Sequence, residues 1–376
     1  MRVRQSNFEL MRIVSMFMII VWHLFLYGVN MDTATPSLKL VFDFFRSIMV
    51  VHVNSFILIS GYFLINSEFK MSKLLKLNDS VVFYKIIIYL VFVYFGLATT
   101  DSITILRNFF PFDLENYWFM RIYMIMYIFS PFYNVFINNI YNNVNKKILI
   151  IMFLIFSILS TLTNQEAVMD YTVSYGYSIV SFTFLYFIGA YLRKYPIDDT
   201  YLGKKYSNSL KQLLFIISFF ILALFNYSMH ITSIQLMQHK GIFEYVGNIL
   251  FISFNQYDNP IVLVQSISYF MFFYYMSFNS KIINAVSKTV FGIYLIHENL
   301  FIRNTMYKWF NFPKIVNSKI EFVHIFIVAV IIFTSCFIID FIRQFVFKII
   351  YNLKVSKWWR KKYRGYLCSL GLKIKW

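Results

Sequence analysis

Arg12 and His23 are two ionisable residues at the ends of an apolar stretch near the start of the chain, R-I-V-S-M-F-M-I-I-V-W-H. On a helix of about 3.6 residues per turn, positions eleven apart share nearly the same face and lie about 16 Å apart along the axis. Ionisable residues in a membrane helix usually face a cavity or a pathway. An arginine suits a phosphate-bearing ligand, and a histidine suits a general base. The spacing therefore predicts a functional face, with Glu9 as the ion-pair partner of Arg12.

Both residues also have a purely structural explanation. Arg12 can extend its side chain to the polar membrane surface, and His23 can be held by a structural hydrogen bond. Further polar residues inside apolar segments favour the functional interpretation, because charged side chains are costly in hydrocarbon. These further candidates are Ser60, Arg121, His297 and Glu298.

Two pairs of adjacent residues contain these candidates, Ser60 with Gly61 and His297 with Glu298. Ser60 and Gly61 are small residues among large ones, which predicts close packing between helices. His297 and Glu298 are adjacent, and adjacent helical residues point about 100° apart, so we do not expect a simple pair between them. Together with Arg121 they are candidates to orient a base or to stabilise an oxyanion. Structural or packing roles are expected for His230, His239 and His324, and packing, or a place in the pocket lining, for Tyr62 and Tyr294.

The elements that must position these residues are apolar helices. Of the 376 residues, 59% are hydrophobic and 14% are charged, whereas a soluble domain has roughly 25% charged residues. The continuous apolar runs indicate an all-α, polytopic integral membrane protein and argue against a barrel, whose strands alternate in polarity. About ten transmembrane helices are predicted, at 10–29, 42–65, 81–99, 117–137, 148–164, 175–193, 212–229, 260–278, 288–306 and 321–350, with a shorter re-entrant or surface piece at 242–254.

The formal net charge of +18 is explained by cytoplasmic loops rich in Lys and Arg. With ten spans, the asymmetry of these residues predicts that both the N-terminus and the C-terminus are cytoplasmic. Residues 1–350 then form one transmembrane domain, and 351–376 form a basic juxtamembrane tail whose expected partner is the lipid bilayer and not nucleic acid. Cys336 and Cys368 lack metal-ligand spacing, so we expect neither a metal site nor a structural disulfide.

Several function classes are disfavoured by missing features. The chain has no P-loop, H-E-x-x-H or G-x-S-x-G, which argues against an ATPase, a metalloprotease and an ordinary serine hydrolase. A lipid-linked glycan transporter or flippase should show broken helices with Gly or Pro at matched depths in its two halves, and we find no such pattern. A polysaccharide polymerase should have a large arginine-bearing outer loop, but the longest predicted outer loop, about 230–259, has only Lys240. The transporter and the polymerase remain the alternatives.

A set of short motifs in fixed order resembles the membrane-bound acyltransferase-3 family. The family signature is Arg or Lys, ten residues and then His in the first span, and Arg12 and His23 match it. The resemblance covers nearly the whole chain. Its further motifs are I-S-G-Y-F at 59–63, W-F-M-R-I-Y-M at 118–124, F-L-Y-F-I-G-A-Y-L at 184–192, Y-D-N-P at 257–260 and F-G-I-Y-L-I-H at 291–297.

This resemblance implies a ten-span O-acyltransferase of the bacterial cytoplasmic membrane. Its members take an acyl group, most often acetyl, from a cytosolic acyl-CoA such as acetyl-CoA and modify surface glycans. The expected partners are therefore acyl-CoA and a capsular or other surface polysaccharide, or its lipid-linked precursor. No bound cofactor is expected, since acyl-CoA is a substrate. The acceptor sugar, the position modified and the choice between acetyl, succinyl and other short acyl groups stay open.

The resemblance also implies roles for particular residues. Arg12 would hold the CoA phosphates, assisted by Lys70 and Lys73, whose K-x-x-K stands where some members have R-x-x-R. Lysine lacks the bidentate fork of arginine, so that these two lysines match the pattern only in charge. His23 would act as general base on a glycan hydroxyl. Alternatively, the acyl group passes through a covalent intermediate on His23 or on a hydroxyl such as that of Ser60.

Overall fold

The computed structural model describes residues 4–29, 34–109, 117–163, 176–310 and 321–352 of the chain. All regular elements in these ranges are helices. They include α1 Ser6–His23, α2 Pro36–Met49, α3 His52–Leu64, α4 Met71–Tyr94, α5 Ser102–Phe109, α6 Trp118–Asn139, α7 Asn142–Phe153, α8 Ile179–Lys194, α9 Tyr201–Lys205, α10 Asn208–Leu236, α11 Ile242–Ser253, α12 Pro260–Tyr274, α13 Lys281–Val286, α14 Val290–His297, α15 Leu300–Trp309 and α16 Glu321–Asn352. α7 continues through the π-helical stretch Leu154–Leu159 into the short α-helix Ser160–Thr163.

Seven helical segments in the described ranges are long and apolar enough to cross a membrane. The all-helical membrane architecture is thus confirmed. The count of ten spans is not: α8 and α12 are shorter, with 16 and 15 residues, and the segment expected at 288–306 is divided between α14 and α15. The side of each terminus stays a prediction. Most of the basic tail, 353–376, lies outside the described residues.

Three departures from regular α geometry lie near the candidate site, two of them next to predicted site residues. α1 ends at His23 and continues as the π-helical turn Leu24–Gly28, a feature that is frequent at functional sites. The segment expected at 42–65 is broken between α2 and α3, directly before His52. The segment expected at 288–306 breaks at Glu298, because Asn299 has extended backbone geometry and caps α15 by accepting a hydrogen bond from Phe301 N.

α3 and α8 pack closely through two glycines. The backbone carbonyl of Tyr186 lies where a Cβ on Gly61 would be, and the carbonyl of Leu58 lies where a Cβ on Gly189 would be. Small residues let helix backbones approach in this way, and membrane helices depend on such packing contacts for their association. The close packing predicted from Ser60 and Gly61 is confirmed.

A buried polar cluster fixes α14 against α16. Asp340 is fully buried and accepts hydrogen bonds from Tyr84, Arg343 and Gln344. Its carboxylate fills the space that a side chain on Gly292 would need. A buried carboxylate is stable only when paired and hydrogen-bonded, as this one is. The cluster therefore holds the helix that ends at His297.

Candidate active site

One cavity of about 470 Å³ follows a single face of α1. Arg12 and His23 both line it, as their eleven-residue spacing predicts. Because positions three and four apart share a helix face, the contacts on α1 form a regular stripe. The stripe begins before α1 and continues into the π-helical turn after it. Its other members are Arg4, Glu9, Met16, Ile19, Trp22, Leu26 and Tyr27.

Basic side chains surround the Arg12 end of the cavity. Arg12 forms an ion pair of 2.9 Å with Glu9, which confirms the predicted partner. Arg4 lies 3.6 Å from the same carboxylate and donates a hydrogen bond to Ser287 Oγ. Lys288 also lines the cavity. This end of the cavity thus has three cations and one carboxylate, and it suits a ligand with several negative charges.

Two residues from the end of α14 meet His23. The Nδ1 atom of His23 lies 3.0 Å from Glu298 Oε2 and 3.3 Å from His297 Nε2. His297 and Glu298 both reach His23 because α14 ends at His297 and the chain turns at Glu298. This arrangement agrees with the expectation that His297 and Glu298 do not simply pair with each other, since both contact His23.

The hydrogen bonds of this cluster fix the protonation of its rings. The carbonyl of Ile293 lies 2.7 Å from His297 Nδ1, and a carbonyl only accepts, so that neutral His297 has its proton on Nδ1 and a lone pair on Nε2. The Nδ1 of His23 therefore donates to that lone pair at 3.3 Å, and it lies 3.0 Å from Glu298 Oε2, an electrostatic contact that also favours a proton on Nδ1. Neutral His23 therefore has its basic lone pair on Nε2, which is the arrangement that a general base needs.

Arg303 completes this cluster and was not among the predicted residues. It donates a hydrogen bond of 2.7 Å to Glu298 Oε1, and its guanidinium lies 4.9 Å from the centre of the Tyr27 ring. An arginine that is paired in this way fixes a carboxylate in both position and charge. A sequence signal did exist, since Arg303 follows Glu298 by five residues, but the helix break that brings them together was not predicted.

The same cluster is the group of described residues that could hold a metal ion. His23, His297 and Glu298 each offer one ligand atom, and these atoms lie within 4.8 Å of one another. However, Arg303 already neutralises the charge of Glu298, and the Nδ1 of His23 is a hydrogen-bond donor. These contacts favour proton transfer over metal ligation.

Aromatic rings form the cavity wall beyond His23. His52 packs on Trp22 at 5.3 Å and faces the Tyr257 hydroxyl at 3.3 Å. Tyr257 in turn contacts Tyr177 at 5.0 Å and lies parallel to Trp118. All five line the cavity. Flat aromatic faces beside hydrogen-bonding groups suit a ligand with both apolar and polar surfaces.

Tyr294 is a cavity-lining residue with a buried hydroxyl. The residue lines the cavity on α14, one turn before His297. Its hydroxyl has no hydrogen-bond partner among the described residues. A buried donor without a partner costs about 1–3 kcal/mol. Because the residue also lines the cavity, its hydroxyl is a candidate hydrogen-bond donor to a ligand.

The other predicted site residues either lie outside the cavity lining or have their polar group bonded to their own helix. Ser60 lines the cavity, but its hydroxyl donates to the Phe56 carbonyl of its own helix at 2.7 Å. Arg121, on α6, is not among the residues that line the cavity, and neither are Lys70 and Lys73. Arg4 and Lys288 occupy the positions at the cationic end that had been assigned to those lysines.

The family comparison covers every residue of this site except Arg4. The model of the acyltransferase-3 family, described as an acyltransferase domain, matches residues 5–341. No curated protein sequence gives a significant match to the chain. No solved structure gives one either.

Proposed function

The chain belongs to the acyltransferase-3 family, and we propose that it is an O-acyltransferase of the bacterial cytoplasmic membrane. The donor is a cytosolic acyl-CoA, in the first instance acetyl-CoA. The acceptor is a hydroxyl of a surface or capsular polysaccharide or of its lipid-linked precursor. Membership of the family and the apolar helices together support a multi-pass membrane acyltransferase. We propose in addition the identity of the donor, of the acceptor and of the membrane.

The observation that carries this proposal is the continuous cavity between Arg12 and His23. A spacing of eleven residues on a helix separates the cationic end from the imidazole by about 16 Å. A substrate that uses both ends needs negative charges at one end, a reactive carbon at the other and a long flexible arm between them. An acyl-CoA has its phosphates, its thioester and its pantetheine arm in this order.

His23 is the general base of the proposed reaction. It removes the proton of the acceptor hydroxyl while the hydroxyl oxygen attacks the thioester carbonyl carbon. The tetrahedral intermediate collapses, the C–S bond breaks, and the proton passes from His23 to the departing thiolate. The products are an ester and free CoA. Glu298, held by Arg303, stabilises the imidazolium that forms between these two proton transfers.

Tyr294 is the donor to the oxyanion of the tetrahedral intermediate. Tyr294 lines the cavity, and its buried hydroxyl has no partner among the described residues; hydroxyl donors at such sites stabilise the charge that develops in acyl transfer. Direct transfer is favoured over a covalent step on Ser60, because the Ser60 hydroxyl donates to a backbone carbonyl and a nucleophile needs an adjacent base.

The acceptor is proposed to bind against the aromatic wall of Trp118, Tyr177 and Tyr257. A sugar ring presents apolar C–H faces and polar hydroxyls, and these match aromatic rings that alternate with hydrogen-bonding groups. The wall is continuous with His23 through Trp22 and His52, so that a hydroxyl of a sugar held there can reach the base.

The experiment that tests the function measures acyl groups on the surface polysaccharide by NMR. Cells express wild-type protein, His23→Ala or Arg12→Ala at matched membrane levels, with the exposed His239 changed to Ala as the control. We expect acyl signals with the wild type and the control, and their loss in the two cavity variants. A polysaccharide whose amount or chain length depends on the protein, with acylation unaffected, would instead support a transporter or a polymerase.

A further inference from the structure

A second cavity, a cleft of about 440 Å³, adjoins the cationic end of the main cavity. Arg4 lines both and therefore marks the place where they meet. The cleft is formed by the start of α1, the end of α8 and the segment after α12. Besides Arg4, its polar side chains are those of Gln5, Ser6, Asn7, Tyr62, Arg193, Tyr274, Ser277 and Asn279.

Arg193 is the distinctive residue of this cleft. Its guanidinium donates a hydrogen bond of 2.8 Å to the Tyr62 hydroxyl and lies 4.9 Å from the centre of the Tyr62 ring. No carboxylate pairs with Arg193 among the residues that the structure describes. Asp198 accepts a hydrogen bond from the cleft residue Tyr274 and forms its ion pair with Lys211.

The cleft is therefore preorganised for an anion. An arginine that donates through one nitrogen to Tyr62 retains further N–H donors, and its planar fork matches the geometry of a phosphate. Arg4 supplies a second cation, and its own partner Glu9 is already shared with Arg12. The amide groups of Asn7 and Asn279 and the Tyr274 ring add hydrogen-bonding and stacking surface beside these charges.

We propose that this cleft binds the phosphorylated nucleotide end of the acyl donor, with Arg193 and Arg4 on its phosphates. The inference rests on the proposed function, because the thioester of the same molecule would then extend past Arg12 to His23. It adds a separate subsite for the 3′-phosphoadenosine part and assigns that subsite to residues distant from the chemistry. An anionic lipid headgroup has the same phosphate chemistry, and the experiment separates the two sources.

The test compares ligands with and without the nucleotide. Full-length protein in nanodiscs of phosphatidylcholine is titrated calorimetrically with CoA and with 4′-phosphopantetheine, which lacks the nucleotide. The variants are Arg193→Ala, Arg193→Lys and Tyr62→Phe, with the exposed Lys204 changed to Ala as a matched loss of cytoplasmic-side charge. Because Tyr62 is buried among aromatic rings, its change to Phe preserves the packing and removes only the hydroxyl that anchors Arg193.

We expect Arg193→Ala to weaken CoA binding by about tenfold or more, as the loss of a charge-assisted hydrogen bond does. Tyr62→Phe and Arg193→Lys should cause smaller losses, and Lys204→Ala none. The affinity for 4′-phosphopantetheine should be the same in all of these proteins. Equal CoA affinity in wild type and Arg193→Ala would overturn the subsite but not the proposed function, whereas a wild type that binds no CoA would overturn the function itself.

A lipid arm completes the test. The same titrations are repeated in nanodiscs that contain phosphatidylglycerol. If the cleft belongs to the nucleotide, the anionic lipid leaves the effect of Arg193→Ala on CoA affinity intact. If phosphatidylglycerol raises the thermal stability of the wild type but not of Arg193→Ala, while CoA affinity is independent of Arg193, the cleft is a lipid site and the proposal is wrong.

Discussion

The Glu298 carboxylate lies 3.0 Å from the Nδ1 atom of His23, although the two residues come from opposite ends of the chain. This contact exists because α14 ends at His297 and the backbone turns at Glu298, while Arg303 on the next helix holds the other carboxylate oxygen. The structure thus joins the first helix to a helix break near the end of the family domain, and orients the imidazole with its basic nitrogen free for substrate.

Glu298→Gln should lower the turnover number strongly. The amide keeps the shape of the side chain but removes the charge that stabilises the imidazolium, and changes of this kind cost about 10²–10⁴-fold in rate. The Michaelis constant for acyl-CoA should stay near the wild-type value, because the cationic end of the cavity is unaffected. Steady-state release of CoA thiol by purified protein measures both quantities. The exposed Glu244 changed to Gln is the control, and a Glu298→Gln protein with wild-type turnover would refute the role.

Tyr294→Phe should also lower turnover while it leaves the fold intact. The change removes one hydroxyl that has no protein partner among the described residues, so the free energy of unfolding should not fall. The loss of one oxyanion donor costs about 10²–10³-fold in turnover number. The control is Tyr269→Phe, since Tyr269 is equally buried but does not line the cavity. Equal activity of the two variants would exclude Tyr294 as the oxyanion donor.

Gly61→Ala should destabilise the protein. The added methyl group would collide with the Tyr186 carbonyl at the contact between α3 and α8, and overpacking of this kind costs about 1–3 kcal/mol. Thermal unfolding of the purified protein in detergent measures the effect, with the exposed Leu224 changed to Ala as the control. If Gly61→Ala unfolds at the wild-type temperature, the helices are not packed as closely as described.

Asp258 should make the protein more stable in mild acid than at neutral pH. Burial raises the pKa of this carboxyl from 3.8 to about 6, against the hydrogen bond from Ser160. The folded state therefore holds the proton more tightly than the unfolded state. The resulting stability is present below about pH 4 and is lost as the pH rises through about 6.

Thermal unfolding of Asp258→Asn across this pH range tests that assignment. The neutral amide cannot ionise, so the melting temperature of the variant should exceed that of the wild type near neutral pH and approach it in acid. Asp199→Asn, at an exposed position, is the control and should follow the wild type. A constant difference between Asp258→Asn and wild type at every pH would show that Asp258 does not titrate in this range.

The sequence was sufficient for the features that depend on helical periodicity. The shared face of Arg12 and His23, the Glu9 partner and the small-residue packing at Gly61 all follow from spacing along one helix. The contacts of His23 with His297 and Glu298 could not be derived in this way, because they depend on where α14 stops. That point is set by the extended backbone of Asn299 and its capping hydrogen bond, which no apolar pattern reveals.

For the same reason, the sequence alone did not predict which cations line the Arg12 end of the cavity. The lysines at 70 and 73 were assigned there by charge and by resemblance, yet Lys70 lies at the start of α4, where its backbone N–H donates to Tyr127. Arg4 and Lys288 line the cavity instead, since Arg4 contacts both Glu9 and Ser287, and Ser287 and Lys288 belong to the 3-10 turn Ser287–Thr289 before α14. Charge patterns predict which side of a membrane a residue occupies, but not which helices meet there.

Steady-state kinetics of His23→Gln and Arg12→Gln test whether His23 is the general base and Arg12 holds the acyl donor. Purified protein is assayed for acyl transfer from acyl-CoA to surface polysaccharide. If His23 is the general base, His23→Gln should lose at least about 10²-fold in turnover number with little change in the Michaelis constant for acyl-CoA. Arg12→Gln should mainly raise that Michaelis constant. Wild-type turnover in His23→Gln would contradict the role of His23 as general base, because the cavity would then end at a histidine that takes no part in the reaction.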